Sequence, residues 1–220
     1  MSKIDSLMTA NRPFLTDGGF ETSMVFLEGF DLPLFAACVL LEDENGREAM
    51  MRYWDHYFEL AAGSGTGFVL DTNTWRAGTY WSQGLERNND EMLDLNREAV
   101  AFAMAMRDHW SGLGAIGPVL VNGVVGPAGD GYAPEFAYTA ERSKETHAPQ
   151  IHALAEAGVD LITALTLTHV GEAVGIVQAA VDAGVPVAVS FTVETDGRLP
   201  NGQPLGDAIA EADTATRRAP

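Results

Sequence analysis

Cysteine, lysine and long apolar runs are all scarce in this sequence of 220 residues. Its one cysteine, Cys38, has no partner for an internal disulfide and cannot by itself build a multi-thiolate metal centre. Lysine occurs only as Lys3 and Lys144, so nearly every cationic side chain is an arginine. The longest apolar stretches, 34–41 and 99–106, fall far short of the roughly 20 residues that span a bilayer. The N-terminal MSKIDSLMTANRP contains no apolar core of signal-peptide length. Together these absences predict a cytoplasmic protein. Positive charge is scarce too: 13 Lys and Arg against 31 Asp and Glu leave a net charge of −18. Such a surface repels nucleic-acid phosphates and anionic lipid heads, so neither nucleic acid nor membrane is expected as a partner.

What is present is a core-forming composition, 46% hydrophobic and 20% charged, which predicts one folded domain over residues 1–220. Short apolar runs rich in β-branched residues predict strands near 14–17, 37–41, 67–72, 115–124, 161–166 and 187–193. Between them lie stretches at helical spacing. In 47–62, Met50, Met51, Trp54, Tyr57, Phe58 and Ala61 share a face, and Gly63 follows as a stop. The same spacing recurs in 90–110 and in 170–183, the latter closed by Gly184, and a last helix is expected over 205–215. Pro149 is expected to kink or divide the stretch 134–157. Strand–helix alternation with near-continuous apolar strands predicts a parallel α/β sheet. A doubly wound sheet and a (β/α)8 barrel both satisfy it. Polar groups stand at the carboxyl end of each expected strand in turn: Asp17, then Glu42 and Asp43, Asp71 and Asn73, Asn122, Thr166 and Thr168, and last Thr192 and Glu194. Polar groups converging from several strands on one mouth favour the barrel, and no phosphate-cradling glycine motif follows any strand. Six strands are expected, against the eight of a complete barrel.

Several motifs, in this order along the chain, resemble those of the homocysteine S-methyltransferase family. They are Asp17-Gly18-Gly19-Phe20-Glu21-Thr22, Asp71-Thr72-Asn73-Thr74 and Asn122-Gly123-Val124-Val125-Gly126-Pro127, followed by Ala157-Gly158-Val159-Asp160-Leu161-Ile162 and Ser190-Phe191-Thr192-Val193-Glu194 with Gly197-Arg198-Leu199. The resemblance implies a TIM-type barrel of which about six of eight βα units are present. It implies methyl transfer to the sulfur of homocysteine or a related thiol, with zinc as cofactor, and a thiol and a methyl donor as small-molecule partners. The chemistry has a clear basis. A thiol with a pKa near about 8.5 is mostly protonated at neutral pH, and coordination to zinc yields the nucleophilic thiolate. In the family three cysteines hold the metal, one at the seventh strand and an adjacent pair near the eighth. The printed sequence ends before those positions, so no metal ligand is assigned here and activity of this chain alone is not expected. An incomplete barrel also exposes two strand edges, which predicts self-association.

By the same resemblance Asp17, Gly18 and Gly19 line the thiol amino-acid pocket. Asp17 accepts from the substrate ammonium, and the glycines admit a close approach to the backbone. Glu21, Asn73, Asn122, Thr166 and Glu194 are the further candidates for substrate binding; no catalytic residue is assigned. Each also has a purely structural reading, as cap, turn or solvated rim, and for Glu194 this is a surface turn with Arg198. Trp75, Tyr80 and Trp81 form either ordinary packing or an aromatic wall for a cationic methyl donor. His169 either caps or lines the mouth. Several family members carry a glutamate for the substrate ammonium at the position of Leu165, which cannot accept that bond. Two other functions fit the same alternation: a non-catalytic small-molecule-binding or partner subunit, and a different barrel enzyme working through a carboxylate pair such as Asp17 and Glu194. Neither Lys3 nor Lys144 is placed for Schiff-base chemistry.

Overall fold

A computed structural model describes residues 4, 7, 9–10, 12–114, 116–132 and 138–216. Five strands form one sheet in the order β1 (Phe14–Thr16), β2 (Gly67–Asp71), β3 (Val119–Val125), β4 (Leu161–Leu167) and β5 (Val187–Phe191). Every neighbouring pair is parallel. Sequential parallel order requires a crossover between each strand and the next, and helices make all four: α1 (Phe20–Phe26) with α2 (Glu44–Ser64), then α3 (Asn89–Gly112), α4 (Ala140–Ala157) and α5 (Val170–Asp182), while α6 (Leu205–Thr216) follows β5. The sheet curls into an incomplete barrel with helices packed on its outer face. This is the expected α/β architecture, with five strands among the described residues rather than six.

The strand expected at 37–41 is a 3-10 segment, Ala37–Glu42. Its apolar run reads as a strand by composition, but β1 pairs directly with β2 and leaves no place in the sheet between them. Ala37, Cys38, Leu40 and Leu41 are instead buried beneath α2 and α3. Burial on all sides erases the periodicity that separates a strand from a buried turn of helix.

Local signals set the helix limits. Asp43 caps α2 by accepting from Gly46 N at 3.2 Å, and Met50, Trp54, Phe58 and Ala61 turn inward. The helix passes through Gly63 and stops at Gly65, because Gly65, at φ 65°, takes the left-handed conformation that its termination requires. A capping box opens α3: Asn88 Oδ1 accepts from Glu91 N at 3.0 Å while Asn88 N donates to Glu91 Oε2 at 2.8 Å. Gly184, φ 68°, follows α5 as expected. Pro149 does not divide α4, which is one helix from Ala140 to Ala157. The missing backbone donor is outweighed by packing on both sides of it, through buried His147, Gln150, Ile151 and Leu154. The first part of two expected elements, position 115 and positions 134–137, lies outside the described residues. No helix among those described is long and apolar enough to cross a membrane.

Candidate functional site

The carboxyl ends of β1, β2, β3 and β4 open into a cavity of about 550 Å³. Asp17, Gly18, Gly19 and Glu21 reach it from the end of β1, and Asp71, Thr72, Asn73, Trp75 and Arg76 from the end of β2. Val124, Asp130 and Tyr132 follow from β3, and Leu165 and Thr166 from β4. In β4 the pairing with β5 shifts register between Ala164 and Leu167, and Thr166 sits at φ 60°. The bulge carries Leu165 and Thr166 to the cavity, and left-handed backbone at a threonine is a strained conformation held by its surroundings. One restraint is visible: Trp75 Nε1 donates to Thr166 Oγ1 at 3.2 Å.

The β1 end is held from α2. Tyr53 and Tyr57 both donate to the Gly18 carbonyl, at 2.9 and 3.2 Å. Trp54, from the same helix, stacks on Phe20 with ring centroids 5.1 Å apart. Asp17 lies between these groups. Burial pushes its carboxyl up to about 6, tempered by the nearby Tyr53 and Trp54 donors. Yet Asp17 Oδ1 and Trp54 Nε1 are both buried without a hydrogen bond of good geometry. Asp71 is raised to about 7, first by burial and then by the charge of Asp17. It is steadied by Asn122, whose Nδ2 donates to Asp71 Oδ1 at 2.7 Å and whose Oδ1 accepts from Thr163 Oγ1 at 3.0 Å. Glu21 is raised by burial and by Asp17, with Arg76 acting in the opposite direction. Three carboxyls are thus drawn together in a poorly solvated space, an arrangement that favours a ligand bringing positive charge or proton donors.

Among the candidate residues, Asp17, Gly18, Gly19, Glu21, Asn73 and Thr166 line the cavity. The Asn73 amide is turned away, donating to the Ala37 carbonyl at 2.9 Å and so tying the 3-10 segment to the site. Asn122 stands behind the lining and acts on it through Asp71. Glu194 is not brought to the cavity: it lies exposed in a turn where its backbone N donates to Arg198 O at 2.7 Å. Its side chain forms no ion pair with Arg198, which pairs instead with Asp196 at 3.7 Å. His169 is outside the lining as well, its Nε2 accepting from Tyr138 N at 2.7 Å. Burial lowers the pKa of His169, consistent with a neutral ring. Sequence reasoning passed over Arg76. Its guanidinium lies 4.7 Å from the centre of the Trp75 ring and 4.4 Å from that of Trp81. Of the two readings of these aromatics, packing or a wall for a cationic donor, the structure shows Trp75 and Trp81 already holding a cation of the protein itself.

The fit of a zinc ion rests on soft donors. Cys38 is fully buried away from the cavity lining, with burial pushing its thiol up to about 12. Among the described residues no group of three or more His, Cys, Asp or Glu side chains converges as a metal site. The residues described here do not fit zinc.

A curled parallel sheet of five strands with its cavity at their carboxyl ends defines an incomplete barrel of the (β/α)8 type. The family model described as homocysteine S-methyltransferase matches residues 14–219, and the chain belongs to that family. Crystal structures of the homocysteine methyltransferase MmuM from Escherichia coli share the fold. The oxidised form has a TM-score of 0.79 at 24% identity, covering 96% of this chain and 72% of that one. The metallated form has a TM-score of 0.78 at 22% identity, covering 100% and 75%. The apo form has a TM-score of 0.72 at 22% identity, covering 100% and 73%. Among curated proteins none matches significantly.

Proposed function

We propose that this chain binds homocysteine or a related thiol amino acid as the methyl acceptor of an S-methyltransferase barrel, and that the chain by itself binds without transferring the methyl group. One observation carries the binding half: Asp17, at the tip of β1, holds in the wall of the cavity a buried carboxylate oxygen that makes no hydrogen bond of good geometry. With a pKa of about 6 the group is mostly ionised at neutral pH and accepts from a substrate ammonium. Gly18 and Gly19 add no side-chain bulk where the substrate meets the backbone, and the two tyrosines hold the Gly18 peptide in place. The second half follows from the donor set. A thiol must lose its proton to become a nucleophile, and the described residues bring no thiolate cluster to the cavity. A non-catalytic binding subunit of the same fold is the alternative that this donor set favours.

Titration calorimetry of the 220-residue chain with L-homocysteine under reducing conditions tests the reading, together with a methyl-transfer assay in the presence of added zinc. Saturable 1:1 binding without methyl transfer is the expected result. Absence of binding removes the acceptor assignment, and turnover by this chain removes the second half.

We also propose that the chain associates with itself through its open sheet edges. Among the described residues β1 and β5 have a strand neighbour on one side only, and unpaired backbone groups on an edge strand invite another chain. Sedimentation at increasing concentration should show species heavier than 23.5 kDa. A single species of that mass at every concentration overturns the proposal.

A further inference from the structure

Among the described residues Arg76 is the one basic side chain lining the cavity, beside four carboxyl residues, Asp17, Glu21, Asp71 and Asp130. Its flat guanidinium is placed against the rings of Trp75 and Trp81. A guanidinium so stacked directs its polar capacity along its edge, where five N–H donors fan out. Among the described residues that edge makes one hydrogen bond, from Nη1 to the Leu34 carbonyl. Nε is buried without an acceptor, and Arg76 forms none of the ion pairs found among these residues. Of the buried side-chain atoms lacking a partner, three belong to cavity-lining residues: one acceptor, Asp17 Oδ1, and two donors, Trp54 Nε1 and Arg76 Nε. Trp54 lies beside Asp17 and offsets its burial, which leaves Arg76 Nε as the donor and Asp17 as the acceptor open to a ligand that carries groups of both kinds.

We propose that Arg76 is the specificity-determining residue for the carboxylate of a zwitterionic ligand, gripping it with the free edge of its stacked guanidinium. The proposal rests on the binding reading above and deepens it. The aromatic stacking fixes the orientation of the fork, so little side-chain entropy is lost on binding. Asp130 and Glu21 act on the guanidinium through their charge, but neither hydrogen-bonds its Nε, so a ligand carboxylate can take that edge while the ammonium of the same molecule is left for Asp17. Leu165 fits this division, since β4 brings an apolar group to the cavity where a second anion would compete for the ammonium.

Calorimetry on the full 220-residue chain tests this with three probes. These are L-homocysteine, its decarboxylated counterpart 3-aminopropane-1-thiol, and its thiol-free counterpart L-norvaline. The wild-type chain should bind both carboxylate-bearing probes at least about tenfold more tightly than the amine-thiol, the scale of one charge-assisted hydrogen bond. Arg76→Gln should lose at least about tenfold for the two carboxylates and less than about threefold for 3-aminopropane-1-thiol, and Arg76→Lys should recover part of the loss. Because Arg76 also holds the Leu34 carbonyl, a purely structural role would weaken all three probes alike, and that result overturns the proposal. So does an Arg76→Gln variant that binds the carboxylates as wild type does. Should homocysteine fail to bind while norvaline binds in an Arg76-dependent way, the thiol reading falls and the carboxylate role of Arg76 stands. If no probe binds the wild-type chain, both fall.

Discussion

Replacing Trp54 by alanine is expected to destabilise the protein by about 3–5 kcal/mol and to abolish saturable binding of homocysteine. The indole is 1% exposed and stands where the core meets the cavity. It stacks on Phe20 with an interplanar angle of 10°, meets Phe102 at 5.8 Å and turns an edge contact toward Tyr53 at 6.3 Å. Truncation removes these contacts together and leaves a void that the helices close only in part, because α2 is also fixed through Phe58 stacked on Trp110 at 5.4 Å. The Gly18–Phe20 turn would then lose its packing partner even if the tyrosine hydrogen bonds survive. Chemical denaturation with paired ligand titration measures both effects. Trp54→Phe, which keeps a ring on Phe20, should lose clearly less of each. A loss below about 1 kcal/mol for the alanine variant would mean that the aromatic stack does not hold the site.

The second expectation concerns pH. Burial and the neighbouring Asp17 charge raise Asp71 to about 7, from an ordinary carboxylate value of 3.8 in the unfolded chain. The folded state therefore binds a proton that the unfolded state has released over this interval. Stability is greatest below the unfolded value and is lost as pH rises through about 7. Asp17, raised to about 6, contributes in the same direction with a lower upper limit. Asp71→Asn removes the charge yet retains an oxygen to accept from Asn122, so it should stabilise the protein at pH 7.5 and have little effect at pH 4. After allowance for partial solvent access and the retained hydrogen bond, the gain at pH 7.5 is on the order of 1–2 kcal/mol. That corresponds to roughly 2–8 °C in a protein of this size. Melting curves of both proteins between pH 4 and 8 decide it. A wild-type stability that rises across this range, or an Asp71→Asn variant less stable than wild type at pH 7.5, contradicts the electrostatic account.

The parallel α/β alternation was legible because it is written in local signals: β-branched runs, helical spacing, and Asp or Asn at strand ends. The cavity lining by Asp17, Gly18, Gly19, Glu21, Asn73 and Thr166 follows from the same rule, since strand ends in such a fold meet at one mouth. Where the reading departed, the deciding interaction was remote in sequence. The 37–41 run became a 3-10 segment because β1 and β2 are direct neighbours, and Pro149 stayed within α4 because of tertiary packing around it. Gly63 and Gly65 both stood near the end of α2, and composition alone does not say which takes the left-handed turn. Glu194 follows β5 closely, but the turn that closes on Arg198 leaves it exposed. Arg76 had no motif to mark it. Its role comes from lying against Trp75 and Trp81 together, a juxtaposition that only the folded loop after β2 creates. Tyr53 and Tyr57 likewise look like ordinary members of an amphipathic helix until their hydroxyls meet the Gly18 carbonyl.

The segment after β3 that carries Asp130 and Tyr132 to the cavity is fastened at Ala128 from α5. Glu172, fully buried in α5, accepts from Ala128 N at 2.7 Å through the same oxygen that meets His147 Nε2 at 2.9 Å. Ser143 of α4 donates to the Glu172 carbonyl at 2.9 Å, so two helices and the loop share one clasp. Moving Ala128 therefore means breaking a junction shared by α4 and α5 and uncovering a carboxylate that is now fully buried.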